Sequence, residues 1–241
     1  MKRNRHSLQK LKILILGFLF LFPILVQAQN YLSISGGRYV SSMIGTDMKA
    51  YVWGLNKTNV GSGLLGTSGT NQFYPTPQAI DMPDGDSLKQ ISSASGMHFV
   101  ALDKNGKVWA WGLNDAGQCG NGTVAVQYGF ISTPTQVKAS ANINAFNIDA
   151  HGYLIHVKAV YAGSVNSFAI LENGDLVSWG ANGKLYSALD DAYGMLGNGT
   201  LPISGTTDNH PEADYVKKSD GIVLNGVTQI SAGDNGVYAL V

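Results

Sequence analysis

The stretch Val108–Thr123 reads VWAWGLNDAGQCGNGT, and it decides the architecture of this 241-residue chain because it recurs. Related stretches are YVWGLNKTNVGSGLLGTSGT at Tyr51–Thr70 and LVSWGANGKLYSALDDAYGMLGNGT at Leu176–Thr200. Each copy contains a tryptophan, a glycine and, one residue further on, an asparagine: Trp53, Gly54, Asn56; Trp111, Gly112, Asn114; Trp179, Gly180, Asn182. Self-similarity of this kind is the signature of a repeat protein.

A glycine-rich tail follows each of these asparagines. Glycine loops after a strand often cradle phosphate groups. The order GQCGNG, however, fits neither G-x-G-x-x-G before a helix nor a Gly-Lys-Ser/Thr loop. The glycines also recur from copy to copy, as at Gly120 and Gly197, whereas a catalytic loop is normally present once. We therefore interpret them as structural turn residues.

A second block precedes each tryptophan and predicts a small antiparallel sheet. It reads ISSASGMHFVALDKNGKVWAWG from Ile91 and VYAGSVNSFAILENGDLVSWG from Val160. Apolar residues alternate on both sides of DKNG and ENGD, which predicts hairpins whose Asn-Gly pair supplies the positive φ of a tight primed turn. A looser copy begins at Ile34, and a fourth copy begins at Ile230.

Units of this size cannot bury both faces alone, so they must stack on one another. Small antiparallel sheets that stack radially form a β-propeller. The sequence therefore predicts an all-β fold of propeller blades, with about three complete blades and the start of a fourth. The predicted repeats are 31–87, 88–156, 157–225 and a truncated 226–241.

The combined pattern resembles the regulator of chromosome condensation repeat, a family of propeller blades. The resemblance rests on the three Trp-Gly-x-Asn motifs with their glycine tails and covers about Tyr31–Val241. Because members of that family typically close with seven blades, it implies a fragment, a truncated gene product or an open array. In an open array we expect association through unpaired blade edges.

The first 28 residues have the layout of a secretory signal peptide. Basic residues precede the apolar run Ile13–Val26, and the small residues of VQA end at Ala28. The run rises about 21 Å as a helix, which is short of a hydrocarbon core of roughly 30 Å. We expect cleavage, a propeller over 29–241, no membrane span afterwards, and a secreted, periplasmic or cell-surface location. An uncleaved anchor is the alternative.

The charge and the cysteine content exclude two classes of protein. Without Met1–Ala28, the chain has 11 basic and 16 acidic residues, a net charge of −5. A nucleic-acid partner would require the opposite sign on at least one face, so none is predicted. The single cysteine, Cys119, cannot form a disulfide framework and stands where the repeat places an apolar residue.

No catalytic, cofactor-binding or metal site is predicted. The histidines after the leader lack the spacing of zinc ligands, and we interpret His98 as a buried, hydrogen-bonded blade residue. The acidic turn Asp81–Ser87 lacks the order of a calcium-binding loop. With no set of nucleophile and base either, we expect no enzymatic activity and no cofactor.

The segments that the repeats do not share are the candidate partner-binding loops. Loops of a propeller project at its two ends, and insertions there commonly serve binding. The aromatic residues in these segments are Tyr128, Phe130, Tyr153, Tyr186 and Tyr193. Exposed aromatic residues are favoured interface anchors, although such rings also serve to hold a loop against its blade.

Two functions follow from this sequence. The first is a secreted, non-catalytic module that binds an unidentified protein partner, which the resemblance permits because the family includes secreted binders, among them an inhibitor of β-lactamase. The alternative, also implied by the resemblance, is a regulator that exchanges guanine nucleotide on a small GTPase, as the family's founding nuclear protein does. The signal segment favours the first function, because exchange requires a cytoplasmic or nuclear location.

Overall fold

A computed structural model describes residues 31–93, 97–183, 194–201, 208–233 and 237–241. The predicted signal segment lies outside the described residues, and so do Tyr186 and Tyr193. Residues Tyr31–Val241 form a single structural unit.

Three four-stranded antiparallel sheets follow one another along this unit, which confirms the predicted all-β fold of propeller blades. Blade 1 contains β1 (Tyr31–Gly36), β2 (Val40–Gly45), β3 (Ala50–Leu55) and β6 (Phe73–Ile80), with the short pair β4 (Lys57–Thr58) and β5 (Gly61–Ser62) between the last two. Blade 2 contains β7 (Leu88–Ser93), β8 (His98–Asp103), β9 (Val108–Leu113) and β10 (Phe130–Gln136).

Blade 3 and a final hairpin complete the described chain. Blade 3 contains β11 (Val157–Ala162), β12 (Asn166–Leu171), β13 (Leu176–Ala181) and β14 (Asn209–Tyr215). The hairpin consists of β15 (Gln229–Ala232) and β16 (Val237–Leu240), which pair antiparallel. The start of a fourth blade is therefore two strands.

The turns between the second and third strands differ from the predicted primed turn. Gly106 has a φ of 84°, but Asn105 before it is not in the left-handed region. The amide of Asp103 donates to the carbonyl of Lys107 at 3.1 Å, and the amide of Gly106 donates to the carbonyl of Asp103 at 3.3 Å. The loop therefore has three residues, and only the last of them, Gly106, has a left-handed conformation. The predicted tight primed turn, which needs two loop residues, was wrong.

Apolar side chains fill three joints between successive sheets. Joint 1 lies between blades 1 and 2, joint 2 between blades 2 and 3, and joint 3 between blade 3 and the β15–β16 hairpin. The largest fully buried side chains are Trp111, Trp179, Phe99 and Phe168. Burial of apolar surface against the next sheet therefore holds the blades together.

The first strand of each blade lies beside the first strand of the next, and polar side chains connect them. Across joint 1, the Ser35 hydroxyl bonds both the amide and the carbonyl of Ser93 at 2.9 Å. Across joint 2, the amide group of Gln90 bonds the backbone of Val160 at 2.7 and 3.0 Å. Ser33 and Ser92 make the neighbouring contacts, to Ile91 and Ala162. We call these contacts the inner ladder.

Candidate interaction surface

The repeated tryptophans connect neighbouring blades. The indole N–H of Trp111 donates to the carbonyl of Leu65 at 3.0 Å, in the glycine turn of blade 1. The indole N–H of Trp179 donates in the same way to the carbonyl of Gln118 at 2.9 Å, in the glycine turn of blade 2. Trp53 has the same position in blade 1, where it is partly exposed. Trp111 and Trp179 therefore link each blade to the blade before it.

A glycine stands under each of the two buried tryptophans because a side chain would collide with the ring. A Cβ on Gly120 would lie 2.7 Å from Nε1 of Trp179, and a Cβ on Gly66 would lie 2.7 Å from Cδ1 of Trp111. Both glycines also have positive φ, 66° and 82°. Ring contact and backbone conformation together require glycine here. In blade 3, the equivalent Gly197 faces Val216 instead.

The repeated asparagines hold the glycine turns in shape. Asn114 is fully buried; its Oδ1 accepts from the amide of Cys119 at 2.9 Å, and its Nδ2 donates to the carbonyl of Thr123 at 3.0 Å. Asn182 makes equivalent bonds to Leu196 and Thr200. Asn56 does the same in blade 1, to the amide of Leu65 and the carbonyl of Gly69. Each asparagine side chain thus makes the hydrogen bonds that one backbone amide and one backbone carbonyl of the turn would otherwise make with water.

The glycine after each tryptophan allows two backbone segments to approach. A Cβ on Gly112 would lie 2.7 Å from the carbonyl oxygen of Met97, and one on Gly180 would lie 2.6 Å from that of Val165. Gly54 is crowded in the same way by Tyr39. The repeat motif thus consists of residues that shape the blade.

The amides of the blade 2 turn are occupied within the protein. The amide of Gly117 donates to the carbonyl of Asn114, the amide of Gly120 to that of Gly117, and the amide of Gly122 to that of Pro211. A phosphate-binding loop needs amides that point at the ligand. Two of these amides are bonded within the turn and the third to β14 of blade 3, which supports the structural interpretation of the glycines.

Two buried titratable groups also have structural surroundings. Burial raises the pKa of the Cys119 thiol, with a smaller contribution from the Asp115 carboxylate, and the sulfur lies 3.5 Å from the carbonyl oxygen of Leu113. Burial also raises the pKa of Asp103, although its carboxylate accepts bonds from the amide of Lys107 and the indole of Trp109, which act in the opposite direction. The neutral thiol is a poor nucleophile.

Two of the histidines contact different partners. His98 is buried, and its Nε2 lies 2.9 Å from the Ser167 hydroxyl across joint 2. His156 stacks on Phe146 with ring centroids 4.4 Å apart, and its Nδ1 lies 2.7 Å from the carbonyl oxygen of Phe146. Over the described residues, no group of three or more His, Cys, Asp or Glu side chains is arranged to hold a metal ion.

The loop between β9 and β10 carries a cluster of exposed apolar side chains. Val124, Val126 and Tyr128 are exposed, and Val126 is 73% accessible to solvent. We call residues 124–128 the VAVQY loop. It projects from the end of blade 2 that also carries the glycine turn. Aliphatic and aromatic side chains in such a position leave apolar surface available to a partner.

The backbone of the VAVQY loop is held by hydrogen bonds. The amide of Tyr128 donates to the Asp115 carboxylate at 2.9 Å, and the amide of Ala125 donates to the carbonyl of Asn114 at 2.9 Å. Tyr128 has a φ of 61°, a conformation that non-glycine residues seldom adopt. The loop therefore presents its side chains in a fixed arrangement.

The other predicted loop residues lie in different surroundings. Phe130 begins β10 and is partly buried, and its ring lies over Gly61 and Gly63 of blade 1. Tyr153 is partly buried; its backbone bridges to Lys138, and its amide donates to the Asp149 carboxylate at 2.9 Å. Of the predicted aromatics within the described residues, Tyr128 is thus the exposed one. Sequence reasoning did not single out Val124 and Val126.

A polar cleft of about 600 Å³ lies at joint 1, beside the glycine turn of blade 1. Its lining is rich in hydroxyl groups and includes Thr67, Ser68, Thr70, Ser132, Thr133 and the carboxylate of Asp81. At the equivalent place in joint 2, the side chains of Lys138 and Glu212 approach Gly122.

Over the described residues, no helix combines the length and the apolar character needed to cross a bilayer.

Comparison with known proteins finds a known repeat in part of the chain. Two models of the regulator of chromosome condensation (RCC1) repeat match the chain, at residues 105–170 and 89–118. Protein pim1 of Schizosaccharomyces pombe is 30% identical over 189 residues, which are 77% of this chain and 30% of that protein. The mitochondrial RCC1 domain-containing protein RUG3 of Arabidopsis thaliana is 26% identical over 87% of this chain and 40% of its own length.

Solved structures show the same fold. Prp20p from Saccharomyces cerevisiae, described with its binding properties to Gsp1p and histones, superposes with a TM-score of 0.59 and 20% identity over 86% of this chain and 42% of that one. Human WBSCR16 gives a TM-score of 0.52 and 13% identity over 89% of this chain and 58% of that one. The chain thus spans between 30% and 58% of the length of these relatives, as a partial propeller does.

Proposed function

We propose that this chain, a β-propeller of RCC1 repeats, is an exported, non-catalytic module that binds a protein partner through the VAVQY loop. The observation that carries this proposal is the exposure of Val124, Val126 and Tyr128 on one loop whose backbone is fixed. The signal-like segment Met1–Ala28 supports the export of the protein.

The apolar character of the loop supports a protein as the ligand. Aliphatic and aromatic side chains form the centre of protein interfaces, where their burial provides most of the binding energy. Because Asp115 and Asn114 already hold the loop, little conformational entropy is lost when a partner binds. A net charge of −5 after the signal segment makes a polyanionic ligand unfavourable.

The role of the remaining motif residues supports a non-catalytic function. The tryptophans, asparagines and glycines of the repeat are used in joints and turns. Cys119 and His98 are enclosed within joint 2 and the turn of blade 2. These groups are used by the fold itself. Within the described chain, the projecting loops are therefore the parts whose sequence can change to suit a partner.

The test compares loop variants with a matched control at the other end of blade 2. Val126→Asp and Tyr128→Ala change the loop, and Phe146→Ala removes an exposed ring beside His156, near the β8–β9 turn. Immobilised protein captures partners from the medium and envelope fraction of the producing organism, and the captured protein is purified for calorimetry. We expect Val126→Asp to weaken binding about thirtyfold, corresponding to about 2 kcal/mol.

Phe146→Ala should bind as the unaltered protein does, and all three variants should keep the thermal unfolding midpoint. A captured partner that binds Val126→Asp and Tyr128→Ala with unchanged affinity would overturn the assignment of this loop.

A further inference from the structure

The polar cleft at joint 1 lies between two complete blades. Its walls are the glycine turn of blade 1 and the fourth strands of blades 1 and 2, which are β6 and β10. Both blades have all four strands, so these walls belong to the described chain itself. The volume of about 600 Å³ falls within the range of small-molecule sites, roughly 300–1,000 Å³.

Both of these fourth strands bulge where they line the cleft. Over Tyr74–Gln78, β6 advances four residues while its partner strand β3 advances two. Over Ile131–Thr135, β10 has the same irregularity against β9. A bulge turns side chains out of the regular alternation of a strand. Ser132 and Thr133 of the second bulge thereby line the cleft.

The chemistry of the lining suits a ligand rich in hydroxyl groups. The polar side chains of the lining are hydroxyls of serine, threonine and tyrosine, the amide of Gln78 and the carboxylate of Asp81. A hydroxyl both donates and accepts, so such a lining matches a ligand that carries many hydroxyls of its own. The carboxylate accepts bonds from hydroxyls and repels anions. A neutral, polyhydroxylated ligand therefore fits this lining.

One hydroxyl of the lining lacks a partner within the protein. The hydroxyl oxygen of Thr67 is enclosed, and it has no hydrogen-bond partner among the described residues. Enclosed polar groups in native proteins nearly always bond a protein group, a water molecule or a ligand. Ser132, Thr133 and Asp81 are exposed, so their polar groups are accessible from the cleft.

Tyr74 adds a fixed aromatic ring to this lining. The ring packs against the apolar cluster of joint 1 and is partly buried. A Cβ on Gly69 would collide with the hydroxyl oxygen of Tyr74, so the glycine leaves room for this hydroxyl. A ring with a polar tip suits a ligand that has both C–H faces and hydroxyls. Sugars combine these two features.

Joint 2 carries longer charged side chains at two equivalent positions. Lys138 stands in blade 2 where Asp81 stands in blade 1, and Glu212 stands in the bulge of blade 3 where Thr133 stands in that of blade 2. A Cβ on Gly122 would lie 3.2 Å from Nζ of Lys138 and 3.4 Å from Oε1 of Glu212. The residues at these two positions thus differ between the repeats, whereas the motif residues recur.

We propose that the cleft at joint 1 binds a neutral oligosaccharide. Hydroxyls of the sugar bond Thr67, Thr133 and Asp81, and a C–H face of one ring lies on Tyr74. The cleft shares no lining residue with the VAVQY loop, so its ligand is independent of the protein partner proposed for that loop.

Amide spectra of the purified, isotope-labelled chain, recorded by nuclear magnetic resonance, test this site. The probes are the neutral sugars cellohexaose, maltohexaose, xylohexaose and chitohexaose, with hexagalacturonate as the acidic control. We expect at least one neutral sugar to shift the amide signals of Thr67, Thr70 and Thr133 in a saturable manner. Hexagalacturonate should leave these signals in place, because the carboxylate of Asp81 repels it.

Variants of the lining then measure the contribution of single polar groups. Thr133→Val and Asp81→Ala alter exposed residues, and each should weaken the binding of that sugar about fivefold. Thr46→Val is the matched control, because it makes the same change at an exposed threonine of the β2–β3 turn, outside the lining. It should bind as the unaltered chain does, and so should Val126→Asp. Circular dichroism confirms that each variant is folded.

The sugar that binds is also tested after coupling to albumin, and we expect the free and coupled forms to bind alike. The absence of saturable shifts at the cleft with every neutral hexasaccharide would overturn the proposal. So would binding that Thr133→Val and Asp81→Ala both leave unchanged, equal binding of hexagalacturonate, or binding of the albumin conjugate alone.

Discussion

Joints 1 and 2 differ from joint 3 in how polar groups are used. In the first two joints, a tryptophan donates into the preceding glycine turn and the inner ladder bonds the next strand. At joint 3, Ala159 and Tyr161 stand where Gln90 and Ser92 stand in joint 2, and the sheets meet through an apolar cluster that contains Phe168 and Ile230. Apolar contact brings two sheets together at all three joints.

The comparison shows that two sets of residues have different roles in joints 1 and 2. Apolar side chains hold neighbouring sheets together, and polar side chains of the inner strands set how one sheet aligns with the next. Burial is non-directional, so a sheet that relies on it alone can slide on its neighbour. The hydrogen bonds of Ser35 and Gln90 have fixed donors and acceptors and therefore set one alignment. We expect joints 1 and 2 to be both stable and fixed in register, and joint 3 to be the weaker joint.

The largest effect should come from removing a covered tryptophan. Trp111→Ala leaves a cavity in joint 1 and an unpaired carbonyl at Leu65, and we expect a loss of about 3–5 kcal/mol in the free energy of unfolding. Trp53→Ala is the matched control, because the same repeat residue is partly exposed there. It should cost about 1–2 kcal/mol. Urea denaturation at low protein concentration measures both values, and equal losses would contradict the role assigned to the joint.

A smaller effect is expected from removing only the indole hydrogen bond, and the loss of stability should differ between joint 1 and joint 2. Trp111→Phe retains a ring but leaves the carbonyl of Leu65 without this donor, which should cost about 1–3 kcal/mol. Trp179→Phe should cost less, because the carbonyl of Gln118 also accepts from the Ser167 hydroxyl at 2.9 Å. The pair is compared by urea denaturation. The reverse order of the two losses would show that the indole bond is not what distinguishes them.

The smallest effect should come from adding a ladder residue to joint 3. Ala159→Gln places the side chain of Gln90 at the equivalent position of β11, opposite Ile230. Two new bonds, less the entropy of fixing the side chain, should stabilise the hairpin by about 0.5–1 kcal/mol. Slower amide exchange in β15 would report this gain. The control is Ala159→Met, whose side chain has a similar length but lacks the amide group of Gln, and it should exchange as the unaltered chain does.

The repeat motif could be predicted from the sequence, but the contacts of the motif could not. Trp-Gly-x-Asn recurs in order, so the blades and the structural role of Gly120 followed from pattern alone. The acceptors of the indoles could not be predicted, because Leu65 lies 46 residues before Trp111 and Gln118 lies 61 residues before Trp179. Only the stacking of two blades brings these groups together.

The inner ladder and the exposed loop were missed for similar reasons. Ser33 and Gln90 are polar residues at alternate strand positions, which is also the pattern of a solvent-facing side of a sheet. Tyr128 and Phe130 are two aromatics in one segment, and the sequence does not distinguish them. Phe130 is partly buried because glycines of blade 1, Gly61 among them, leave room for its ring.

Amide hydrogen exchange at Val160 tests the central claim most directly, because that amide crosses joint 2 to reach the side chain of Gln90 at 3.0 Å. With Gln90→Ala, we predict that the Val160 amide exchanges about tenfold faster or more, in line with the loss of about 1.4 kcal/mol of local protection, while the Ile230 amide at joint 3 is unchanged. Unchanged exchange at Val160 in the Gln90→Ala variant would contradict the claim that side chains of the inner strand join the blades.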